Sequence, residues 1–484
     1  MFYNMLPILK HLAGRHNQQK HGREEVGQAS AGLRKGTVLQ PHQQRAVAKI
    51  KAQPAVLVYH GLGAGKTLTS IAAAEEVGGT KQVIVPASLR YNYQKEVKKF
   101  VARPKGYDIK SYNSVVAKGV TPADITIIDE AHRMGRSDSA TSKIGATLAD
   151  SKKVVLLSGT PIRNDPSEIV PLLRAIAGDR FAPKTVDDFK KRFTRQRIIK
   201  PDMLGRLLGV KPVIVNELTN ISALKNLLHG RVDYQPSSGE FPSVTRQQVE
   251  LPMSKAQERL YKEVLSDNPV VAYKIRRNLP PTKSDASLFN AFMNTSRQLS
   301  NDPAAFDKTM TGDKVLHSPK MTAICKDVEA GLASNKNYKA LIYSNWIDSG
   351  IQPIADHLAA KGIAVETFTG KDNDKSREAI VGRYNTGKTK VLLISGAGSE
   401  GIDLKGTTQV HVMEPHWNES KIDQVVGRAT RHQSHSHLLP EEQHVDVKVY
   451  TTSPADKYLI NLAAKKQAYV NQLLNILKEV GSEK

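Results

Sequence analysis

One segment gives the clearest indication of the fold, namely Ala55-Val-Leu-Val-Tyr-His-Gly-Leu-Gly-Ala-Gly-Lys-Thr67. Its first five residues are mostly apolar and include two β-branched valines, which is typical of a strand buried on both faces of a sheet. Three glycines then lead into a segment, 67–77, whose composition predicts a helix. A strand that passes through glycines into a helix is the local structure that a phosphate-binding loop requires.

The chemistry of this loop points to a nucleotide. Glycines at 61, 63 and 65 allow backbone N–H groups to turn inward around phosphate oxygens, and the helix presents its positive end to the same anion. Lys66 is placed to reach the β- and γ-phosphates, and the Thr67 hydroxyl to hold Mg²⁺. We therefore predict that ATP and Mg²⁺ bind here, although His60 replaces the first glycine of the usual pattern.

Short Val- and Ile-rich runs alternate with helical segments on both sides of the loop. Such alternation predicts a parallel sheet covered by helices on both faces. The rhythm stops near residue 179 and returns near 320, after a basic stretch that we predict to be mostly helical. The runs interpreted as strands are 55–59, 83–85, 125–128, 154–157, 340–343, 364–368, 391–394 and 409–413.

This pattern predicts an α/β protein with two lobes, each a parallel sheet flanked by helices, and a helical insertion. We expect a flexible basic tail over residues 1–36, a first lobe over 37–178, an insertion or linker over 179–315, and a second lobe over 316–484. A helix is predicted over 455–480.

Composition restricts the class of protein. The 484 residues carry a formal net charge of +23, which favours a polyanionic partner such as a nucleic acid. No run of 18 apolar residues occurs, so we expect no membrane partner. Cys325 is the only cysteine, which excludes an intramolecular disulfide and fits a cytoplasmic protein.

Two carboxylates follow one of the predicted strands, in Ile125-Thr-Ile-Ile-Asp-Glu-Ala-His132. Asp129 is placed to hold Mg²⁺ through water, and Glu130 to orient or deprotonate the attacking water. Two acids at the end of a strand are often only a solvated turn. The phosphate loop and the two acids each follow a strand of the same predicted sheet, and this arrangement favours a catalytic role for the acids.

Asp129-Glu-Ala-His132 together with Gly61 to Thr67 resembles motifs I and II of helicase superfamily 2. In that family such lobes are RecA-like, and the resemblance implies that His132, Ser158 and Thr160 couple the ATP site to strand contacts, the last two through Ser158-Gly-Thr-Pro161. Leu39-Gln-Pro-His-Gln43 is similar to the segment in which Gln43 would read the adenine edge.

Three further segments resemble motifs Ia, IV and V, which lie along the nucleic acid in this family. They are Val85-Pro-Ala-Ser-Leu89, Tyr343-Ser-Asn-Trp346 and Ser399-Glu-Gly-Ile-Asp403. The resemblance implies nucleic-acid contacts by Ser88, Ser344 and Ser399, and nucleotide contacts by Gly401 and Asp403.

The segment Gln424-Val-Val-Gly-Arg-Ala-Thr-Arg431 has the residue spacing of motif VI. On a helix, Gln424, Arg428 and Arg431 are three to four residues apart and would share one face. By the resemblance, this face meets the γ-phosphate bound on the first lobe, where an arginine stabilises transition-state charge. A surface basic helix is the alternative for this segment taken alone.

Within the superfamily, the chain resembles SWI/SNF-like remodellers and poxvirus nucleoside triphosphatases. The stretch between motifs III and IV is long, Leu251-Pro-Met-Ser-Lys-Ala-Gln257 resembles the entry into their second lobe, and motif VI continues as Arg431-His-Gln-Ser-His435. The resemblance covers about residues 37–480. It implies a DNA-dependent ATPase that moves along duplex or branched DNA without sequence preference, and a monomer.

Several alternatives remain open from the sequence. They are a helicase that unwinds or branch-migrates DNA, a transcription-associated ATPase, an RNA helicase carrying the same DEAH tetrapeptide, and a virion or DNA-packaging component. Gly14-Arg-His-Asn-Gln18 resembles short segments of tailed-phage head proteins, which is the basis of the last alternative. A virus-encoded chain would act in the host cytoplasm with a replication, recombination or transcription complex, or be packaged in virions.

The basic segment 184–211 also admits two interpretations. It carries nine Lys or Arg against three Asp, interleaved with Phe residues. It would form either a basic surface that contacts phosphates or a solvated helix face whose Phe residues enter the core.

Overall fold

The computed structural model describes residues 32–135, 144, 148, 151–178, 180–370, 374–396, 402–417 and 419–483. Most of the predicted tail, residues 1–31, therefore lies outside the described residues. The remainder of that tail contacts the first lobe, since Leu33 forms a bridge with Val101 and the Arg34 N–H donates to the Phe100 carbonyl at 2.7 Å.

The first sheet has six strands in the order β3-β2-β4-β5-β1-β8, and all of its pairs are parallel. In chain order these strands are β1 Ala55–His60, β2 Lys81–Val85, β3 Tyr107–Ser111, β4 Ile125–Ile128, β5 Lys153–Ser158 and β8 Val232–Gln235. Its central strands are buried on both faces. In β1, Leu57 packs into the core on one face while Val56 and Val58 pack into the core on the other.

The second sheet also has six strands and only parallel pairs, in the order β11-β12-β10-β13-β14-β9. Its strands are β9 Ser243–Glu250, β10 Ala340–Ser344, β11 Val365–Phe368, β12 Val391–Ser395, β13 Gln409–Val412 and β14 His444–Thr451. In β10, Leu341 and Ile342 again enter separate cores on opposite faces.

These two sheets confirm the predicted α/β class with two lobes built on parallel sheets. All eight predicted strands are present to within two residues. The helices with described bounds are Pro41–Ala52, Lys66–Val77, Arg90–Phe100, Tyr112–Lys118, Val170–Ala177, Val186–Phe193, Met203–Leu207, Ile221–Leu228, Lys255–Ser266, Pro269–Arg276, Ala286–Asn301, Lys314–His317, Pro319–Ser334, Gln352–Ala360, Asp374–Asn385, Glu419–Ala429 and Pro454–Ser482.

The stretch 179–315 is richer in strands than predicted. It contains an antiparallel hairpin, β6 Thr194–Ile199 and β7 Val213–Leu218, and it supplies β8 to the first sheet and β9 to the second. Strands β6, β8 and β9 are polar or short and lie at sheet edges or in a two-stranded hairpin, so they lack the apolar runs that mark buried strands. The run Val213-Ile-Val215 in β7 is such a signal, but it is not among the predicted strands. The boundaries at 178 and 315 stay predictions.

The long helix Pro454–Ser482 follows the second sheet but packs against the first lobe. Leu473, Leu477 and Val480 lie in the same core as Val232 of β8, and Gly481 is in close contact with Tyr234. The end of the chain thus links the two lobes. Among the described residues, no helix is long and apolar enough to cross a membrane.

Candidate nucleotide site

The loop after β1 has the geometry of a phosphate cradle. Gly63 and Gly65 have left-handed backbones, with φ of 74° and 69°. Lys66 begins the helix Lys66–Val77, and its Nζ donates to the carbonyl oxygens of His60 at 3.0 Å and Gly61 at 3.1 Å. The amine therefore lies across the loop, where it can exchange these carbonyls for phosphate oxygens. Burial lowers the pKa of Lys66, although nearby Glu130 and Asp129 oppose that shift.

The packing around this loop also leaves no room for side chains at the three glycines. A Cβ on Gly61 would lie 2.4 Å from the Ser237 nitrogen, and one on Gly63 would lie 2.1 Å from the Ser238 carbonyl oxygen. A Cβ on Gly65 would lie 2.4 Å from the Gln43 Nε2. Side chains are thus excluded by the segment after β8 and by Gln43, a reason for glycine that the sequence does not show.

We expect Gly63→Ala to lower ATP turnover about tenfold or more, because the new Cβ would lie 2.1 Å from the Ser238 carbonyl oxygen and would force the phosphate loop to shift. The matched control is Gly78→Ala, which has the same φ of 74° with nothing within 4 Å. The control should lose stability but keep its turnover. Equal turnover of the two variants at a temperature where both are folded would contradict this explanation.

The acidic pair lies directly after β4, at the same end of the sheet as the loop. The Glu130 N–H donates to Asp129 Oδ1 at 2.9 Å, and the Tyr112 hydroxyl donates to the Asp129 carbonyl at 2.8 Å and the Glu130 carbonyl at 3.1 Å. Glu130 has a left-handed backbone with φ of 53°, and such strain is concentrated at functional sites. Burial, together with the Glu130 charge, raises the pKa of Asp129 to about 6.

The residues present fit a Mg²⁺ ion. A buried carboxylate whose charge is disfavoured by burial and by a second acid is an environment that a cation stabilises. Mg²⁺ uses few protein oxygens and keeps several waters, so the Thr67 hydroxyl and the Asp129 carboxylate form a sufficient set. Among the described residues, no group of three or more His, Cys, Asp or Glu side chains is arranged to hold a metal ion.

A series of close polar contacts joins the acidic pair to the neighbouring strand β5. His132 Nδ1 lies 3.3 Å from Glu130 Oε2 and 3.1 Å from Ser158 Oγ, and the Thr160 N–H donates to the same hydroxyl at 3.1 Å. Burial lowers the pKa of His132 to about 3, with Arg163 and Arg133 also contributing, so the ring is neutral at pH 7. The structure thus brings together the three residues predicted to couple ATP state to movement.

Gln43 is buried against the loop, with both ends of its amide bonded. Its Nε2 donates to the Gly65 carbonyl at 3.2 Å and its Oε1 accepts from the Gln40 N–H at 2.8 Å. His42 also contacts the loop, at 2.9 Å from the Ala64 carbonyl. Gln43 therefore holds the loop in this structure, and its reading of adenine stays a prediction.

His60, the departure from the usual pattern, belongs to a buried network that the sequence does not indicate. His60 Nε2 lies 2.7 Å from Asp233 Oδ1 of β8, and Arg45 Nε donates to Asp233 Oδ2 at 2.9 Å. Both His60 and Asp233 have no exposed side-chain surface. The network therefore ties the start of the loop to β8 and to the helix Pro41–Ala52. The sequence signal was only an acid and a histidine 173 residues apart.

We expect Asp233→Asn to lower the free energy of unfolding by about 1.5–3 kcal/mol, because a buried carboxylate loses the charge that strengthens its hydrogen bonds to Arg45 and His60. The matched control is Glu96→Gln, which removes an exposed pair with Lys99 at 3.9 Å and should cost at most about 0.5 kcal/mol. Urea unfolding of both variants measures the difference. A loss from Asp233→Asn no larger than that of the control would rule out a stabilising role for the network.

On the second lobe, the residues predicted from motif VI lie at the end of the helix Glu419–Ala429. Gln424 is exposed and Arg428 is half-buried. The expectation that all three residues share a helical face is wrong for Arg431, because the helix ends at Ala429 before it. Arg431 instead pairs with Asp403 at 3.2 Å, and the Leu404 N–H donates to the Arg428 carbonyl at 3.1 Å.

The segment 236–242, which we call the connector, joins β8 to β9 and contacts both sets of residues. At the loop, the Leu62 N–H donates to Ser237 Oγ at 3.1 Å and the Ser238 N–H donates to the Leu62 carbonyl at 3.2 Å. Just after Arg431, the Gln433 N–H donates to the Glu240 carbonyl at 2.8 Å and the Phe241 ring lies 5.7 Å from the His432 ring. Its Pro, Ser and Gly composition indicates a loop, but not these contacts.

Of the residues predicted to contact nucleic acid, the structure describes Ser88 and Ser344. Ser88 is exposed in a short 3₁₀ turn after β2. The structure does not support a contact by Ser344, because its side chain is fully buried and its hydroxyl donates to the Glu414 carboxylate at 3.2 Å. Ser399 and Gly401 lie outside the described residues. In the basic segment, Phe189 and Phe193 pack into the core of the first lobe, as the second interpretation predicted.

Two protein families match the chain. The SNF2-related domain matches residues 105–305 and the helicase conserved C-terminal domain matches residues 319–433. The first match includes the acidic pair and the second includes the motif VI residues.

Several viral proteins are similar to the chain over most of its length. A protein of Acanthamoeba polyphaga mimivirus named as an ATP-dependent RNA helicase is 30% identical, over 92% of this chain and 98% of its own. A termination factor NPH-I homolog of African swine fever virus is 24% identical, over 85% of this chain and 71% of its own. Nucleoside triphosphatase I of Heliothis armigera entomopoxvirus is 23% identical, over 74% and 62%.

Among solved structures, the Sulfolobus solfataricus SWI2/SNF2 ATPase core in complex with dsDNA aligns with 94% of this chain and 97% of its own. The TM-score is 0.37 and the sequence identity is 16%.

Proposed function

Since the chain belongs to the family of helicase-type ATPases that join an SNF2-related domain to a helicase C-terminal domain, we propose that it is an ATP-driven motor that moves along duplex or branched DNA. The observation that carries this proposal is the connector. It is bonded at one end to the phosphate loop and at the other end to the residues that follow Arg431. A change at the nucleotide can therefore reach the second lobe through a continuous set of contacts.

The chemistry is assigned to the predicted residues. Lys66 and the N–H groups of the loop bind the β- and γ-phosphates, while Thr67 and Asp129 would hold Mg²⁺, which supplies charge neutralisation to these phosphates. Glu130 orients the attacking water and accepts its proton as the bond between the γ-phosphorus and the bridging oxygen breaks. We assign stabilisation of the transferred phosphoryl group to Arg428 and Arg431. We propose that ATP binds in a cleft between the two lobes and that Gln424 faces the γ-phosphate there.

Coupling follows from the path Glu130–His132–Ser158–Thr160. Because Glu130 contacts His132 directly, a shift of its carboxylate on hydrolysis changes the hydrogen bond to Ser158 and hence the backbone at Thr160. We propose that this shift opens and closes the cleft, so that the lobes step along one strand. Gly401 and Asp403 would contact the nucleotide, Ser399 would contact the bound strand, and Ser88 would contact the backbone of that strand.

The choice of DNA is a further part of the proposal. It is supported by the net charge of +23 and by the resemblance to the SWI/SNF-like branch. The mimivirus relative is named as an RNA helicase, so RNA is the principal rival substrate. Because the relatives are viral, we further propose a virus-encoded protein that works as a monomer within a replication, recombination or transcription complex.

Triplex displacement tests movement along duplex DNA. A labelled third strand is bound to a duplex, and its release is followed with ATP and Mg²⁺, with ADP, and with EDTA. We expect release only with ATP and Mg²⁺, and no separation of the duplex. Separation of forked DNA would indicate unwinding instead. Activity on matched RNA substrates alone would overturn the DNA assignment and leave the ATP site unaffected.

A second candidate function is transcript release by a transcription-associated ATPase, which the name of the African swine fever virus relative favours. It uses the same ATP site and the same movement on DNA. ATP-dependent release of RNA from a stalled polymerase complex would support it. Lys66→Ala should abolish that release, and Lys95→Ala is the control for the loss of a lysine charge.

A further inference from the structure

The hairpin of the basic segment presents an unusual set of exposed apolar side chains. It consists of β6, the short helix Met203–Leu207 and β7, and we call its apolar surface the hairpin patch. Large aliphatic side chains exposed to water in a cluster mark an interaction surface. The patch consists of Ile198, Met203, Leu204, Leu207 and Ile214, which are 58%, 81%, 53%, 84% and 54% exposed.

The patch is held in a defined position. Ile198 and Ile214 are directly paired across the hairpin, so their side chains share one face. The short helix is fixed through Asp202, whose carboxylate accepts from the Gly205 N–H at 2.9 Å, the Tyr273 hydroxyl at 2.9 Å and Arg277 Nη2 at 2.7 Å. The exposed side chains are therefore placed by the fold.

The charges around the patch favour a polyanion. Five exposed cations lie within the hairpin, against only two acids, Asp202 and Glu217. Asp202 is engaged by Arg277, and Glu217 lies opposite Arg195 and 4.0 Å from Arg197. The net charge of the hairpin is thus positive. The five cations are Arg195, Arg197, Lys200, Arg206 and Lys211.

We propose that the hairpin patch is a wedge that contacts unstacked bases of the nucleic acid on which the motor acts, while the surrounding cations bind its phosphates. Leu, Ile and Met are residues that proteins insert between base steps, and the cost of unstacking is offset by added phosphate contacts. This inference rests on the proposed function and extends it to a strand-distorting element on the first lobe.

Two other occupants fit less well. A protein partner would cover a patch whose centre is depleted of charge. Here Lys200, Arg206 and Lys211 lie in the same segment as Met203, Leu204 and Leu207, whereas Arg195 and Arg197 lie on the strand face opposite to Ile198. Residues 1–31 of the same chain carry four Lys or Arg and two Glu, so they share the sign of the hairpin. Charge complementarity therefore favours a nucleic acid, and these occupants become outcomes of the test.

The test compares two sets of variants in full-length protein without ATP. The apolar variant is Met203→Ser with Leu207→Ser, and its control is Leu316→Ser with Leu439→Ser, two exposed leucines elsewhere in the chain that are 70% and 60% exposed. The charge variant is Lys200→Gln, Arg206→Gln and Lys211→Gln. The probes are forked DNA and forked RNA of the same sequence, each with 2-aminopurine beside the junction, titrated at several salt concentrations.

We expect wild-type protein and the control to raise 2-aminopurine fluorescence as the base unstacks. The apolar variant should lose most of this rise and bind about five- to twentyfold more weakly, with the dependence of affinity on salt unchanged. The charge variant should reduce the slope of log affinity against log salt by about 2–3. The DNA and RNA arms identify which nucleic acid is recognised.

The inference is overturned if the apolar variant unstacks and binds both probes as wild type does. A photo-crosslinker at position 207 provides an independent measurement, since crosslinks to the probe support the wedge, while crosslinks only to residues 1–31 or to an added polymerase exclude it. Because no ATP is present, these outcomes do not depend on turnover, so failure of the wedge and failure of the motor are distinguishable.

Discussion

Replacing Arg428 with alanine lowers nucleic-acid-stimulated ATP turnover by about 10³- to 10⁵-fold, while ATP binding changes far less. An arginine that meets the γ-phosphate acts mainly on charge that develops in the transition state, and such residues contribute this much in related phosphoryl-transfer enzymes. Arg428 lies in the last turn of its helix, where its carbonyl is tied to Leu404. Single-turnover measurement with excess enzyme isolates the chemical step.

The control for this prediction is Arg383→Ala on the same lobe. Arg383 pairs with Glu366 at the surface, and its loss should change stability little and leave turnover unchanged. Arg431→Ala should also lower turnover, since Arg431 adjoins the connector. If Arg428→Ala kept turnover within about threefold of wild type, the helix Glu419–Ala429 would be a basic surface helix and not part of the ATP site.

Replacing Lys66 with alanine abolishes turnover, with a loss of at least about 10²- to 10³-fold, the effect of removing one donor to developing charge. The loss here extends to ATP binding, since Lys66 Nζ lies within the loop between the His60 and Gly61 carbonyls. Removing a cation whose pKa is already lowered by burial should not destabilise the fold. Turnover, binding of a fluorescent ATP analogue and thermal unfolding together separate these effects.

Lys95→Ala is the matched control for Lys66→Ala, because Lys95 lies on an exposed helix face of the same lobe. It should behave as wild type in all three measurements. Turnover by Lys66→Ala at the wild-type rate would overturn the assignment of the phosphate loop, whatever the nucleic acid.

The parts of the fold predicted from sequence are those that local pattern determines. Most of the predicted strands have an apolar run such as Leu341 and Ile342, whose burial on both faces leaves a readable signal. Strands β8 and β9 have none, since they lie at sheet edges, and β9 is mostly exposed. Their positions depend on pairing across the chain, which local composition does not encode.

The same distinction holds for the site. Lys66, Asp129 and Glu130 follow strands of one sheet, so parallel topology alone places them together. The contact between Asp233 and His60 and the contacts of the connector depend on how β8 joins that sheet, and nothing in the sequence indicates it. Ser344 was assigned by its place in a motif, but its burial against Glu414 follows from the packing of the second lobe.

We expect nucleic acid to stimulate ATP hydrolysis by this chain. The most direct measurement is the steady-state ATPase rate with no nucleic acid and with duplex DNA, single-stranded DNA, forked DNA and RNA, each at two salt concentrations. We expect strong stimulation by duplex or forked DNA. The stimulation should weaken as the salt concentration rises, because phosphate contacts release counterions and such binding is weaker at high salt. Equal rates with and without every nucleic acid would contradict it.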